Sequence, residues 1–483
     1  MQDNNSPIVR ISEITIHNVK NVESGHVVFD CGRKAARKHV EADVLGMYGP
    51  NSSGKTTFID VLNILKGIIS GAAMTIDHPK LVRVGAEYSD FEVVFDMEYP
   101  DKVRRRVVYA TKMRVERTVS EDVEGSDSED ETYVRSSRGT SEYRLEFFDE
   151  VVKISGHIDG RIVPLKPVID TSTVDIPFGP TARYKKYFDG QQDFKQLMRL
   201  RDIKEFQSRS FIFSKEFLDM LSESGAERDI VETLQDIKFY ARRYLHIIKT
   251  TSTGMIGLDL GVPIFTRRGT ILLNTKNVIT LPVGIYSDLR DYIESINTVL
   301  PSLVPGLTLE LREKSKTVDK SGRDAVEAFV YATRNGVTIP LRDESDGVRK
   351  IVSMLALMID AYNEPRFTVA IDELDASLYE YLIGGLLHVF QDNGRGQLIF
   401  TSHNLRLLEV LDKRFLWFTT TNPQNKYIRL KNIGATNNLR RIYIRELENI
   451  AIGSELSQDE QIADPIDEMK ITEAFEKAGQ RLS

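Results

Sequence analysis

Lys55 and Thr56 close the run Gly49-Pro50-Asn51-Ser52-Ser53-Gly54-Lys55-Thr56, which satisfies G-x-x-x-x-G-K-[ST] at every fixed position. In that pattern the backbone N–H groups of a glycine-rich loop cradle phosphate oxygens. The dipole of the helix that follows favours the same negative charge. The spacing predicts a phosphate site formed by Gly49, Pro50, Asn51, Ser52, Ser53, Gly54, Lys55, Thr56 and Thr57. Lys55 is expected to reach the β- and γ-phosphates, and the Thr56 hydroxyl to sit on Mg²⁺. The flanks supply the elements such a loop needs. Val44-Leu45-Gly46-Met47-Tyr48 reads as a buried strand, and Phe58, Val61, Leu62, Leu65, Ile68 and Ile69 fall on one face of a helix.

A phosphate loop alone says only that a nucleotide binds. Far downstream, Phe367-Thr368-Val369-Ala370-Ile371 is an apolar strand that ends in Asp372-Glu373. Asp372 is placed to hold Mg²⁺ through water, because that ion keeps much of its hydration shell. Glu373 is placed to polarise a water for attack on the γ-phosphate. Gln397-Leu398-Ile399-Phe400-Thr401-Ser402 is a further strand, and His403 at its end is a candidate to contact the γ-phosphate and orient that water. Upstream, Ser345, Asp346 and Gly347 open a helix marked by Val348, Ile351, Val352, Leu355 and Ile359. Serine and glycine at a helix N-terminus make an anion site.

The order is phosphate loop, long intervening segment, Ser-x-Gly helix, Asp-Glu strand, His strand, with more than half the chain between Lys55 and Asp372. It resembles the ABC-type ATPases, the group that includes SMC and RecF proteins. The resemblance implies an α/β fold, an ABC/SMC-like ATPase head with a mixed sheet split by a helical insertion. It also implies binding of ATP with Mg²⁺ and hydrolysis to ADP and phosphate. In that class the Ser-x-Gly helix of one subunit caps ATP bound to another. Ser345, Asp346 and Gly347 take that role here, although Asp346 stands where the family's Leu-Ser-Gly-Gly-Gln form has glycine. The implied assembly is a homo-oligomer built from ATP-dependent head dimers, a hexamer among the arrangements. The family's Q-loop glutamine has no obvious counterpart; the segment near Asp90–Glu92 is where it is sought.

Val44–Asn51, Thr401–Arg406 and Lys431–Arg440 look similar to OLD-related ATPases of bacterial anti-phage systems, in particular the ATPase components of AbiL and PARIS (AriA). That likeness covers roughly residues 8–120 and 285–450. OLD proteins carry a C-terminal Toprim nuclease, but the stretch after His403 is short and holds no acidic strand-end set for two metals. The Val123-Glu124-Gly125-Ser126-Asp127 text matches a Toprim motif but lies in a charged loop with no apolar strand before it. The resemblance therefore implies a separate Toprim-like nuclease effector, with a phage protein as trigger. The alternative is a RecF- or SMC-like ATPase acting directly on DNA in repair. The chain lacks the sustained heptads of a long coiled-coil arm. A transporter ATPase is a third reading, opposed by the long split between the motifs.

The remaining sequence sets bounds. The 483 residues allow two or three domains, and 41% hydrophobic content supports a sizeable core. A net charge of −7 does not demand nucleic acid, although Arg104, Arg105, Arg106, Arg199, Arg201, Arg242 and Arg243 offer local basic patches. Direct DNA binding stays open on this reading, as does the choice between a phosphate-binding and a solvated face for the basic strand Val103–Val119. The single cysteine, Cys31, permits no intrachain disulfide and fits a reducing compartment. The longest apolar run, Ile351–Ile359, is too short to span a bilayer, and the N-terminus shows no secretory signal. The expectation is a soluble cytoplasmic protein without membrane partners. Glu121–Glu131 reads as an acidic loop. The expected organisation is residues 1–175 as an N-terminal ATPase lobe, 176–284 as a mainly helical insertion, 285–450 as a C-terminal ATPase lobe and 451–483 as a tail. The insertion is read either as a partner surface or as a packed cap.

Overall fold

Asp43–Tyr48 is buried at every position, as a strand covered on both faces must be. It lies inside a six-stranded sheet whose neighbours run in the order Tyr427–Ile428, Leu416–Thr419, Asp43–Tyr48, Gln397–Ser402, Thr368–Ile371, Leu245–Ile248. All pairings are parallel except that of Tyr427–Ile428, so the sheet is mixed. A polar ladder fixes its register at one end. Gln397 donates from Nε2 to Asp43 Oδ2 at 2.6 Å and pairs with the Thr368 hydroxyl at 3.3 Å. These buried groups satisfy one another, so a slip of one strand would orphan all of them.

The structure is a computed structural model that describes residues 6–29, 43–74, 81–117, 143–188, 190–250, 262–266, 269–273, 279–319 and 322–429, with residues 440 and 443. Cys31, the acidic run Glu121–Glu131, residues 431–439 of the OLD-like segment and the 451–483 tail lie outside the described residues. The chain divides into two compact units. One comprises residues 1–27 and 61–242, the other 28–60 and 243–483.

In the first unit a six-stranded sheet runs Val22–Val28, Ile8–Val19, Ser89–Glu98, Arg104–Arg117, Tyr143–Ile158, Arg161–Asp170. From Ile8–Val19 onward each pairing is antiparallel. Four helices follow: Thr181–Tyr187, Gln191–Phe206, Lys215–Glu223 and Arg228–Arg243. Aromatic edges join the sheet to this layer, with Phe95 against Tyr240 of the last helix and Tyr109 against Phe213 in the turn before Lys215–Glu223. The buried Glu150 carboxylate ties the same layers. It accepts from Tyr109 at 2.8 Å, Ser210 at 2.5 Å and the Phe211 N–H at 2.7 Å. The basic strand proves to be an ion-pair ladder: Arg104 meets Glu98, Arg106 meets Asp96, Lys112 meets Asp149 and Arg114 meets Glu146. Arg105 is buried and bonded to Asp229. Arg201 is spent on the carbonyls of Thr171, Thr173 and Pro177.

The second unit adds an antiparallel sheet of Ile279–Pro282, Asp324–Arg334, Leu307–Val318 and Val337–Pro340. The helices Val283–Leu303 and Asp346–Asn363 share a core with it through Leu289, Ile293, Ile296, Val348, Val352 and Leu355.

The division differs from the expected one. The phosphate-loop strand joins the C-terminal sheet rather than an N-terminal lobe ending at residue 175. Within residues 176–284 the four helices end at Arg243. After Arg243 the chain turns to the strands Leu245–Ile248, Val262–Thr266, Gly269–Leu273 and Ile279–Pro282. A run as short as Leu245–Ile248 carries no period that separates helix from strand. Its pairing with Thr368–Ile371 decides.

Candidate active site

The register of the parallel sheet places three strand ends side by side. Tyr48 pairs with Ser402, so the loop at Gly49 leaves the sheet beside His403. Ile371 pairs with Phe400 on one side and Ile248 on the other, so Asp372 lies between Thr401 and the segment reaching Thr250. Ligands of open α/β sheets bind outside these carboxyl ends.

Asp372 is 1% exposed and engaged at both carboxylate oxygens. Oδ1 accepts from Thr401 Oγ1 at 2.7 Å and faces Thr56 Oγ1 at 3.4 Å, while Oδ2 accepts from Thr250 at 2.6 Å. The Thr401 hydroxyl also accepts the Glu373 N–H at 2.7 Å. One buried hydroxyl thus fixes both carboxylate residues. Thr56 and Asp372 converge from the two ends of the chain as oxygen donors only, the set that a hard divalent ion prefers. Among the described residues no three His, Cys, Asp or Glu side chains gather into a cage. Mg²⁺ commonly uses one or two carboxylates with substrate phosphates, and Thr56 and Asp372 fit that use.

Lys55 is 4% exposed, and its ammonium donates to Gly49 O at 2.7 Å and Pro50 O at 2.8 Å. Burial pushes its pKa down to about 8, against the opposing pull of the Asp372, Glu373 and Asp375 carboxylates. The loop that carries it is tightly keyed. At Gly49, φ is +157°, and a Cβ there would lie 1.7 Å from Thr419 Oγ1. Thr419 also bonds Ser53 at 2.6 Å, and the Tyr427 hydroxyl donates to Gly54 O at 2.9 Å. Ser53 and Thr57 are buried, whereas Asn51, Ser52 and Thr56 are exposed and Pro50 is half-buried.

Glu373 has φ of +49°, a left-handed conformation that costs a non-glycine residue about 1–2 kcal/mol. Such strain persists only where the surroundings impose it. His403, at the exposed end of its strand, donates its backbone N–H toward the Asp375 carboxylate at 3.2 Å. Partial desolvation, then the nearby Lys55 charge, hold its imidazole below the usual histidine range against the neighbouring carboxylates. It is therefore neutral at pH 7, fit to share one hydrogen bond as donor or acceptor. Ser345 caps the helix Asp346–Asn363 by accepting the Val348 N–H at 3.4 Å, and Asp346 pairs with Arg349. Gly347 packs against the turn after Glu373, where a Cβ would lie 2.5 Å from Ser377 O. A larger residue there disturbs its own chain.

The structure brings Lys55, Thr56, Asp372, Glu373 and His403 to neighbouring strand ends. Asp90 and Glu92, where a Q-loop was sought, lie in the first unit's strand Ser89–Glu98. Thr250, Thr401, Asp375 and Lys350 were missed. Thr401 could have been found as the hydroxyl that ends the apolar run Leu398-Ile399-Phe400. Lys350 could have been found as a cation set among the apolar residues Val348, Ile351, Val352 and Met354 of its helix.

A phosphate-loop strand beside the His strand, with the Asp-Glu strand next beyond it and a Ser-x-Gly helix in the same unit, fits an ATPase head of the ABC/SMC type. The chain belongs to the family described as "AAA domain, putative AbiEii toxin, Type IV TA system", whose model matches residues 44–409. No curated protein sequence matches it. Among solved structures it is similar to an SMC head bound to the C-terminal winged-helix domain of ScpA, at 12% identity and TM-score 0.38, over 87% of this chain and 97% of that one. It is also similar to the SMC head domain from Thermotoga maritima, at 13% and 0.35, over 88% and 100%. A third likeness is to ATP-bound RecF, at 12% and 0.32, over 83% and 93%. No helix among the described residues is long and apolar enough to cross a membrane.

Proposed function

We propose that this chain is the ATP-binding and hydrolysing sensor or scaffold subunit of an anti-phage, abortive-infection system that controls a separate nuclease-like effector. The observation that carries the ATPase part is the convergence of Thr56 and Thr401 on Asp372 Oδ1, with Glu373 fixed by the same Thr401. In this reading the loop amides and Lys55 hold the phosphates. Thr56 and Asp372 would hold Mg²⁺, which supplies charge neutralisation across the phosphates. Glu373 accepts a proton from the attacking water, and neutral His403 orients it. Ser345–Gly347 of a second copy would cap the nucleotide in a head dimer.

The defence part is supported by the family description, which names a toxin of a toxin–antitoxin system. The likeness of Val44–Asn51 and Thr401–Arg406 to OLD-related ATPases points the same way. Direct action on DNA finds less support, because Arg104, Arg105, Arg106 and Arg201 are already engaged within the first unit.

The test is purification with the product of the adjacent gene, mass measurement, and ATP hydrolysis with and without Mg²⁺. Wild type is expected to hydrolyse ATP and associate when ATP is present. Lys55→Ala should lose ATP binding, and Glu373→Gln should bind ATP and stay associated. Protein inert toward Mg²⁺-ATP alone and with its co-purified partner would end the ATPase reading. Steeply salt-dependent DNA binding with no protein effector would favour the repair reading.

A further inference from the structure

Lys350 lies in the second turn of the helix that Ser345 caps, and it is 3% exposed. Among the described residues its ammonium forms no ion pair. It donates to two backbone carbonyls, Glu373 O at 2.7 Å and Ala376 O at 2.9 Å. A methionine or leucine would fill that space without desolvating a charge. Burial is the main influence on the amine, whose pKa falls to about 8, with Asp375, Glu373 and Asp372 opposing.

The carbonyls it holds belong to an unusual turn. Glu373 and Ser377 have φ of +49° and +63°. The Glu373 N–H is taken by Thr401 at 2.7 Å, and its C=O also accepts the Ala376 N–H at 3.1 Å. At the start of the helix, the backbone of Gly347 approaches Ser377 so closely that a Cβ would lie 2.5 Å from its carbonyl oxygen. The helix is therefore clipped to both ends of the turn 373–377, once by the Lys350 amine and once by the bare backbone of Gly347. A helix turn is stiff, so the segment Ser345–Gly347 and the Lys350 amine move together.

We infer that Lys350 is a positioning residue that makes the placement of Glu373 depend on the Ser345–Gly347 segment of the same chain. This inference rests on the ATPase reading above. When that segment docks on nucleotide held by a second copy, the helix end is fixed, and Lys350 passes that constraint to the Glu373 peptide. Each subunit's carboxylate is then set for hydrolysis by what its own Ser-x-Gly segment engages. The two sites of a dimer are coupled through one side chain.

The experiment compares Lys350→Met with wild type, in otherwise native and Glu373→Gln backgrounds. It reads kcat, the KM for Mg²⁺-ATP, and ATP-driven association. A carboxylate displaced by a fraction of an ångström to an ångström loses about tenfold to a hundredfold in rate. Lys350→Met is expected to lower kcat by that factor, with KM within about twofold and association kept. In the Glu373→Gln background it should cost nothing further, because the group it positions is already gone. Wild-type kcat in Lys350→Met, or the same fold loss in both backgrounds, would overturn the inference. If Lys350→Met does not fold, Lys350→Gln, too short to reach both carbonyls, is read in the same way. Lower kcat at unchanged KM supports the inference and wild-type kcat overturns it. Failure of wild type to hydrolyse ATP or to associate with it would instead sink the ATPase reading, so the two failures are told apart.

Discussion

Raising the pH through 8 should weaken nucleotide binding, because the cation that meets the phosphates gives up its proton there. Burial holds Lys55 at about 8 in the free protein, despite the pull of Asp372, Glu373 and Asp375. A lysine with a lowered pKa is charged below that value and neutral above it. Bound phosphates favour the charged form, so binding above pH 8 must take up a proton. The apparent dissociation constant then rises about tenfold per pH unit above 8, equivalent to about 1.4 kcal/mol per unit, and is nearly flat below 7. The terminal phosphate of ATP is already ionised across that range, as second phosphate ionisations fall near pH 6. It therefore contributes no slope of its own. Lys350 also titrates near 8, but it acts on Glu373 rather than on the phosphates. Measuring binding instead of turnover separates the two. The assay is equilibrium binding of a fluorescent ATP analogue to Glu373→Gln between pH 6.5 and 9.5 at fixed ionic strength. Lys55→Arg, which stays charged throughout, is the control and should show no slope. A constant affinity from pH 7 to 9.5 in the Lys55 protein would refute the argument that its charge is half lost near pH 8.

Thr401→Val removes the hydroxyl shared by Asp372 and Glu373. It should cost about 1–3 kcal/mol in urea unfolding by leaving buried polar groups unpaired, and should slow hydrolysis while the protein still binds ATP. An unchanged turnover number would remove Thr401 from the site. Gly49→Ala places a Cβ on Thr419 Oγ1 at a backbone angle side chains rarely adopt, and should abolish ATP binding by calorimetry. Pairing it with Thr419→Ala should restore part of the stability but not all, because φ remains wrong. Arg105→Met strips a buried cation from Asp229, Thr233, Tyr99 and the His157 carbonyl, and should lower stability by about 3–5 kcal/mol. A melting temperature unchanged from wild type would contradict that network.

The candidate site was legible because the signals that mark it are local. The loop Gly49–Thr56, the Asp372–Glu373 pair and His403 each sit at a strand end, and an apolar strand before a polar pair marks such an end. Ser345 could be placed at a helix start because a serine cap is a short-range signal, and the structure bears this out. What the sequence did not reveal depends on pairing across long separations. The union of Asp43–Tyr48 with strands from the other end of the chain is decided by register with Gln397–Ser402, which no local pattern encodes. Leu245–Ile248 was taken into a helix for the same reason. The basic strand looked available to phosphate because its acidic partners, Glu98, Asp96, Asp149 and Glu146, lie on neighbouring strands.

The hydrogen bonds of the site also bear on how such an ATPase could be controlled. Lys55 already donates to two loop carbonyls, and Asp372 already accepts from two threonines, with a third facing it. Nucleotide and metal must therefore exchange satisfied internal bonds for new ones. Each exchange of that kind nets only about 0.5–1.5 kcal/mol. Affinity in a single chain then rests on the loop amides and on charge rather than on filling unmet needs. In the proposed head dimer a second copy's helix N-terminus would add donors and charge on the far side of the nucleotide. With the Lys350 coupling inferred above, that same docking would set Glu373. On the proposed head dimer, binding and hydrolysis would be conditional on assembly, as the proposed sensor role requires.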